Sequence, residues 1–445
     1  MGGVFLIEPV VGVYAFAMFM TPPLVQQYVY RRKWEETTGS AYLSQLNVSH
    51  CEGGNHSNLS AQHEPVQKET SLFLLQSELC FLFPSLLMSL LLLASSDSQG
   101  RKVAIVPPLV GDAAFMLAYA AVSHYSLDLR YVLLAAFLRG VLGGPAPLFG
   151  ACFAYVADRC GEGEPGRKTT RMALLEMLLG LQSGTAALCS GFYIHLAGFT
   201  WPFLTVAALH VLVLLYVLFA LRESLVPPPV QSGPATPDSR CCVSLLRVVA
   251  SRLRAVLSIF STSTKGRGVT LALTLAAFAL YNMAVLGGMS FFILYELNVP
   301  LCWDEVAVGY GSALSSTMYP ASFAGIRLLS RYLADLQVAL LGLVSLSVGF
   351  LMAAFARTTL LMYLVRIPML LSIMPSPIMR SMMSKMVLSS EQGAMFACVA
   401  FLEMVSVGVS FPMFSSTYAA TVAWFPGFSF LLAAAITLLP ITFIW

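Results

Sequence analysis

Ionisable side chains interrupt several long apolar stretches of this sequence, and they are the residues whose chemistry could matter most. An ionisable group inside a lipid bilayer costs at least ~2.5 kcal/mol on insertion scales, so each one needs a partner or a function. Carboxylates in such places can exchange protons, and guanidinium groups can bind anions. The residues are Glu8, Glu78, Asp112, Arg139, Glu176, Arg366, Arg380 and Glu403.

Glu176 stands in the run RMALLEMLLG (171–180), which is otherwise apolar after its first residue. Loss of hydration favours the neutral carboxyl over the carboxylate, so this side chain could take up and release protons. A structural ion pair is the alternative. The pattern favours proton coupling at Glu176.

Two arginines flank stretches that glycine and proline would break. Arg139 precedes GVLGGPAP (140–147), and Arg380 follows MPSPIM (374–379). A guanidinium stays charged and binds carboxylate or sulfate through two parallel hydrogen bonds. We therefore predict that Arg139 and Arg380 bind an anionic substrate, with pairing to a nearby carboxylate as the alternative for each.

The remaining intramembrane charges divide into two groups. Glu78 and Glu403 are candidates for further proton sites, or for partners of Arg366 or of a backbone group. Glu8, Asp112 and Arg366 have the character of structural residues.

Aromatic side chains in the same stretches could form the walls of a site for a flat hydrophobic ligand. Tyr281, Phe291 and Tyr319 are the candidates for substrate contact, and Tyr14, Phe16, Phe19 and Phe292 are further ones. Packing between helices or contact with lipid is the alternative role.

Composition shows what must position these residues. The chain has 445 residues, 58% hydrophobic and 11% charged, with a mean hydropathy of +0.78, so lipid is its solvent. Twelve stretches are long and apolar enough to cross a bilayer. They are Val4–Tyr28, Leu72–Ser95, Val103–His124, Tyr131–Tyr155, Met172–Leu196, Trp201–Leu221, Val269–Tyr295, Val306–Leu329, Leu336–Ala356, Leu360–Met383, Ala394–Tyr418 and Thr421–Trp445.

The distribution of Lys and Arg predicts that both termini are cytosolic, although Arg31, Arg32 and Lys33 after the first span oppose this orientation. The loop 30–70 would then be lumenal or extracellular. It carries three glycosylation sequons, which begin at Asn47, Asn55 and Asn58.

Of the nine cysteines, only Cys51 and Cys302 fall on the oxidising side of this topology. We predict a disulfide between them, with two free thiols as the alternative.

Replacing Cys51 with serine is expected to leave Cys302 reactive towards a membrane-impermeant thiol reagent, because its partner would be gone. Mass spectrometry of the labelled protein measures this. Equal labelling of Cys302 with and without Cys51 would exclude the pair.

The stretch VPPPVQSGPATPDS (226–239) cannot form a helix and divides six spans from six. We predict an all-α membrane protein with N-terminal (1–225) and C-terminal (268–445) six-helix bundles, joined by a cytosolic linker (226–267). The arrangement, with SDSQGRK (96–102) between spans two and three, resembles the major facilitator superfamily. That resemblance assigns Asp97, Arg101 and Lys102 to a cytosolic gate, although Leu93 replaces a usual glycine.

Longer strings resemble solute carrier family 46, the proton-coupled folate transporter family. They are QQYVYRRKWEE (26–36), FAYVAD (153–158), RMALLEMLLG (171–180), ILYELNVPLCWDEVAVGYGSAL (293–314) and MRSMMSKMVLSSEQGAMFACVAFLE (379–403). Three further strings, VYRRKWEET, ACFAYVAD and TVAWFPGF, look most like the lysosomal branch of the family. The family also has the first-loop sequons and a matching cysteine pair.

The resemblance implies proton coupling by Glu176 and Asp158, substrate binding by Arg139 and Arg380, and gating by Asp97 and Arg101. It implies a multi-pass lysosomal membrane protein that exports amphipathic organic anions, such as steroid conjugates, bile acids and peptide-like catabolites, with protons. The proton is the coupling ion, and neither a metal nor another cofactor is expected. The helix-seven histidine of the folate carrier is absent, with apolar residues around Val285, which argues against folate.

Three alternatives remain at this point. An enzyme is not expected, because the sequence has no metal-ligand cluster, GxSxG, phosphate loop or HExxH, and its six histidines are scattered. A non-transporting receptor would have no need for Glu176, Arg139 and Arg380. A folate or antifolate transporter is the third. We expect a small-molecule partner and no nucleic-acid-binding surface, and the oligomeric state is left open.

Overall fold

The computed structural model describes residues 7–38, 57–160, 165–224, 265–297, 301, 303, 305–388, 391–421 and 424–444, and its regular elements there are helices. They are α1 (Glu8–Thr38), α2 (Ser57–Gln99), α3 (Lys102–Tyr125), α4 (Arg130–Val141), α5 (Pro145–Arg159), α6 (Pro165–Ala197), α7 (Thr200–Phe219), α8 (Lys265–Ser290), α9 (Phe292–Leu297), α10 (Glu305–Ser316), α11 (Met318–Leu329), α12 (Asp335–Ala354), α13 (Thr359–Leu364), α14 (Pro375–Met386), α15 (Gln392–Thr421) and α16 (Phe428–Ile444), with a 3₁₀ helix at Pro368–Leu371.

All twelve predicted spans coincide with helices in the described part of the chain. Ten segments are long and apolar enough to cross a membrane on their own. The eighth span is interrupted at Thr317 between α10 and α11, and the twelfth is α16, which has 17 residues. Large apolar side chains such as Phe83, Phe192 and Trp201 are exposed on the outside, as lipid contact requires.

The loop predicted over 30–70 is shorter than expected, because both flanking helices continue into it. The end of α1 is a polar helix with ion pairs at helical spacing, Arg31 to Glu35 (3.3 Å) and Lys33 to Glu36 (2.8 Å). Asn58 lies in the first turn of α2. Asn47, Asn55, Cys51, Cys302 and most of the linker 226–267 lie outside the described residues.

Two spans are broken beside the arginines that the sequence singled out. Between α4 and α5, Gly143 and Gly144 have φ of +100° and +66°, which favours glycine, and Pro145 begins α5. A Cβ on Gly144 would lie 2.6 Å from the ring of Phe81. In the tenth span the 3₁₀ helix separates α13 from α14, which starts at Pro375.

The helices form two bundles that meet through a small set of helices. In the first half α3 packs on α7 and α1 on α6, and in the second half α16 packs on α8 and α12. Between the halves, α2 and α5 contact α15, and α6 contacts α11 and α14. Charged residues on α2, α5, α6, α14 and α15 are therefore placed where they can join the two bundles.

Candidate functional site

One buried guanidinium joins the two bundles. Arg380 of α14 is 7% exposed and forms ion pairs with Glu176 of α6 and with Glu403 of α15. Ser376, one turn earlier on α14, donates a hydrogen bond to Glu176 Oε1 (2.9 Å) and accepts one from Arg380 Nη1 (3.1 Å). The site therefore contains one cation and two carboxylates, with Glu176 from the first half and the rest from the second.

The break in the tenth span explains this geometry. Pro375 starts α14, so that Ser376 and Arg380 lie four residues apart on one face of a new helix. α14 also contacts α6 one residue further on, where the hydroxyl oxygens of Ser381 on α14 and Thr169 on α6 are 2.7 Å apart. Residues 200 positions apart, Ser376 and Glu176, can therefore share a hydrogen bond.

Two aromatic rings cover the guanidinium. The Arg380 Cζ atom lies 4.4 Å from the ring centroid of Phe153 on α5 and 5.2 Å from that of Phe278 on α8. Such contacts stabilise a cation with little water near it. Sequence reasoning missed both rings as site residues. Phe153 begins FAYVAD, one of the strings that resemble solute carrier family 46, and Phe278 lies one turn before Tyr281.

The three aromatic residues predicted to contact the substrate lie in different surroundings. Tyr319 lies against Gly180 of α6, close to the junction of the bundles, where a Cβ on Gly180 would overlap its ring. Tyr281 is 2% exposed and donates a hydrogen bond to the Ser372 carbonyl (3.0 Å) in the broken tenth span. Phe291 is 4% exposed and packs on Phe414 and Tyr418 of α15, with ring centroids 6.3 and 5.2 Å away.

The pairing of Arg366 differs from the expectation. Neither Glu78 nor Glu403 satisfies it, because Glu296 in α9 does so at 2.6 Å, with Ser315 at 2.9 Å. Glu296 is 1% exposed and was not considered from the sequence. Glu296 follows directly after Tyr295, where the predicted seventh span ends, so the sequence did not mark it as an intramembrane charge. Its contact with Arg366 of the tenth span buries it.

Arg139 does not join Arg380. It forms an ion pair with Asp112 of α3 inside the first bundle, between the rings of Phe81 (4.8 Å) and Phe115 (5.0 Å). In this conformation Arg139 is thus paired with a carboxylate of its own bundle, and its predicted substrate contact stays a prediction. Glu78 is exposed on α2 and interacts electrostatically with Arg139.

A second charged cluster lies where α2, α3 and α5 meet the start of α15. Arg101 is fully buried and donates to Asp97 (2.7 Å) and to both carboxylate oxygens of Asp158 (2.8 and 3.0 Å). Asp97 also accepts the backbone N–H groups of Gly393 (2.6 Å) and Ala394 (2.9 Å) at the start of α15. Asp97 of the first bundle therefore caps a helix of the second, and this connection holds the bundles together at that end.

The charge of Arg101 is secure despite its burial. Burial by itself lowers the pKa of this guanidinium, but the hydrogen bond and charge of Asp158 and the charge of Asp97 outweigh burial, and the pKa is raised. Arg101 therefore stays protonated at every physiological pH.

Asp158 and a residue missed from the sequence complete this cluster. Asp158 lies at the end of α5, where it pairs with Arg101 and accepts from Ser224 (3.0 Å), and its proton-coupling role stays a prediction. Glu223 was missed. It accepts the backbone N–H groups of Arg101 (2.7 Å) and Lys102 (3.2 Å) at the start of α3. The Lys102 ammonium donates to the Leu218 carbonyl (3.4 Å) in its own bundle.

Comparison with known proteins identifies the family. No protein-family model matches the chain. The chain is 40% identical over 439 residues to the lysosomal proton-coupled steroid conjugate and bile acid symporter SLC46A3 of Gallus gallus, covering 98% of this chain and 92% of the relative. It is 39% identical over 437 residues to the protein of the same name from Homo sapiens, covering 98% and 93%. This chain belongs to solute carrier family 46.

A more distant family member and two solved structures are also similar to this solute carrier family 46 chain. It is 33% identical over 443 residues to the proton-coupled folate transporter of Rattus norvegicus, covering 98% of this chain and 90% of that one. The human organic anion transporter MFSD10 (TETRAN) has the same fold, with a TM-score of 0.72 at 16% identity and coverage of 99% and 98%. The fucose transporter FucP in its outward conformation follows, with a TM-score of 0.63 at 13% identity and coverage of 99% and 98%. The fold is that of the major facilitator superfamily, and the chain is a transporter rather than an enzyme.

Proposed function

We propose that this chain is a lysosomal symporter that carries amphipathic organic anions, such as steroid conjugates and bile acids, out of the lumen together with protons. The single observation that carries the mechanism is the placement of Arg380 between Glu176 and Glu403 where the two bundles meet. The relatives at about 40% identity carry this activity in their names, and the folate transporter is less similar.

Charge in this cluster links protons to the anion. With both carboxylates ionised, the two negative charges exceed the single positive charge of Arg380, and an anion is repelled. Each proton that Glu176 or Glu403 accepts removes one negative charge, and two protons leave the guanidinium free for a carboxylate or sulfate. Because binding free energies are reciprocal, the anion must also promote proton binding by the same factor.

The same protonation would permit alternating access. The pair between Glu176 and Arg380 spans the two bundles, so neutralising Glu176 removes an attraction that opposes their rocking movement. With both termini in the cytosol, as we propose, the Asp97 cap lies at the cytosolic end and this conformation is closed on that side. A lumenal substrate and lumenal protons would then load first.

Phe153 and Phe278 suit the apolar part of such a substrate. Both rings face Arg380, so a ligand with a flat hydrophobic body and one anionic group could place the anion on the guanidinium and its body along the rings. This combination describes a steroid sulfate or a bile acid.

Replacing Glu176 with glutamine is expected to abolish proton-driven accumulation while substrate binding persists, because glutamine resembles the protonated carboxyl but cannot release a proton. Exchange of labelled for unlabelled substrate between equilibrated compartments needs no net proton movement and should continue. Uphill uptake and exchange are both measured in proteoliposomes.

The matched control is Glu36→Gln, which removes a carboxylate from an exposed pair at the end of α1 and should leave both activities intact. Acid-driven accumulation in Glu176→Gln equal to that of the wild type would contradict the proton role of this residue.

The proposed activity is tested by uptake of a labelled steroid sulfate or bile acid into cells that display the protein at the surface, at pH 5 and pH 7.5, with and without a protonophore. Acid-stimulated, protonophore-sensitive uptake supports the proposal. Competition by excess folate in the same assay tests the folate alternative. Binding of the anion without uptake at either pH would instead support a receptor.

A further inference from the structure

A second buried titratable group lies in the first bundle, and the anion site described above does not use it. His210 of α7 is 1% exposed, and its Nδ1 lies 2.8 Å from the Val206 carbonyl oxygen. A carbonyl oxygen only accepts, so Nδ1 carries the hydrogen. In the neutral ring Nε2 is therefore an unprotonated acceptor.

The surroundings of Nε2 lack a donor for this acceptor. Among the described residues Nε2 has no hydrogen-bond partner, and the nearest carboxylate atom, Asp112 Oδ2, lies 4.0 Å away. Two acceptors thus face each other in a buried place. One proton on Nε2 would convert this unfavourable arrangement into a charge-assisted hydrogen bond after a movement of about 1 Å, since such bonds are about 2.8 Å long.

The helices packed on α7 bring few other charges to this place. Tyr14 of α1 donates to Asp112 Oδ2 (2.6 Å), and its ring packs edge-on against the imidazole. Arg139 of α4 pairs with the other oxygen of Asp112. From α6, Tyr193 lies within hydrogen-bonding distance of Thr205, more than one turn from His210. Asp112 and Arg139 are therefore the buried charges that a proton on His210 would meet, and the exposed carboxylate of Glu78 on α2 acts on Arg139 from outside this buried cluster.

With neutral His210, the single charges of Asp112 and Arg139 balance. A proton on His210 leaves two cations for one carboxylate in a buried cluster, which is unfavourable without a further anion. The side chain of Arg139 is 15% exposed, against 3% for Asp112 and 1% for His210, so Arg139 is the least buried member of the cluster. The excess positive charge of the cluster would therefore act on an anion mainly through Arg139.

We propose that His210 is a proton-binding site of the first bundle, and that its protonation weakens the hold of Asp112 on Arg139 so that Arg139 attracts the substrate anion. This inference rests on the proposed symport. It separates the two arginines, because Arg380 responds to its glutamates and Arg139 responds to His210. Arg139 would therefore increase the affinity of the protein for the anion in an acidic lumen, and this contribution would disappear at neutral pH.

The first test is the pH dependence of KM for a steroid sulfate in the full-length chain. For a coupling of the usual size, KM of the wild type should fall by about fivefold or more between pH 7.5 and pH 5 through this site. In the His210→Gln variant this pH-dependent decrease in KM should disappear, while the variant should still accumulate substrate. Asp112→Asn should have a low KM at both pH values, and adding His210→Gln to it should change nothing further. His124→Gln, an exposed histidine at the end of α3, is the matched control.

The second test does not depend on transport. Nitrogen-15 NMR of the purified chain labelled at histidine identifies the His210 signals by their loss in His210→Gln. We expect an Nδ1–H ring at neutral pH, an imidazolium at acidic pH, and less imidazolium in Asp112→Asn. A ring that stays neutral down to pH 4.5, or an unchanged KM profile in His210→Gln, would overturn the inference. Failure of the wild type to transport any probe would overturn the proposed symport, and the NMR titration would still decide whether His210 binds a proton.

Discussion

Replacing Arg380 with alanine is expected to abolish transport at every pH. The change would leave Glu176 and Glu403 without the cation they share, and breaking a buried ion pair by removing one partner costs about 3–5 kcal/mol. It would also remove the proposed anchor for the anion. A loss of about 3 kcal/mol in stabilisation of the rate-limiting transition state corresponds to a fall of roughly 100-fold or more in kcat/KM. Initial rates of uptake from pH 5 to pH 7.5 measure it.

The lysine variant separates charge from geometry at this position. Arg380→Lys keeps a cation but loses the planar fork, which pairs with both carboxylates here and can bind an anion through two parallel hydrogen bonds once they are protonated. It should restore folding and leave KM for the anion well above that of the wild type. Size-exclusion chromatography of both variants shows whether the protein is intact. Normal kcat/KM in a well-folded Arg380→Ala protein would mean that the anion binds elsewhere.

The second large effect is expected at the cap between the bundles. Asp97→Ala would remove the acceptor for two backbone N–H groups of α15, and loss of an N-cap costs about 0.5–2 kcal/mol before the pair with Arg101 is counted. The conformation closed at this end should lose population, and uptake should fall by about 5-fold to 30-fold. Hydrogen exchange of the first turn of α15, measured by mass spectrometry, should become faster.

Glycine on the other side of the contact provides an independent test. A Cβ on Gly393 would lie 2.6 Å from Asp97 Oδ1 and 2.6 Å from the Leu93 carbonyl oxygen, so Gly393→Ala should disrupt the same cap. Gly408 is the matched control on α15, because its nearest neighbour, Leu82, would be at an ordinary 3.6 Å. Fast exchange in Asp97→Ala and Gly393→Ala, with Gly408→Ala unchanged, is the expected pattern. Wild-type exchange and uptake in both cap variants would show that the contact does not hold this end closed.

The spacing of glycine and proline located features that the structure then explained. The break after Arg139 and the one before Arg380 were both visible in the sequence, because a proline cannot donate the helical hydrogen bond and a glycine tolerates positive φ. The consequence of each break was not visible. One arginine has its partner within its own bundle, and the other has partners in both.

The charged residues inside the membrane spans show most clearly which contacts the sequence does not reveal. Their cost in lipid marked Glu176, Glu403 and Arg366 as residues that need partners. The sequence did not reveal that Glu176 and Glu403 share one arginine, or that Glu296 belongs to Arg366. In a soluble helix the apolar face points to the core, but in a membrane helix both the lipid side and the core side are apolar. The pattern therefore does not tell which way a side chain points.

By itself the sequence determined the solvent, the number of spans, the positions of the breaks and the family, since each depends on composition or on a local rule. Tertiary structure alone decided that Arg380 joins the bundles, that Asp97 caps α15 and that His210 faces Asp112. These contacts depend on the rotation and depth of helices far apart in the chain. Packing between helices fixes those quantities, and no local pattern records them.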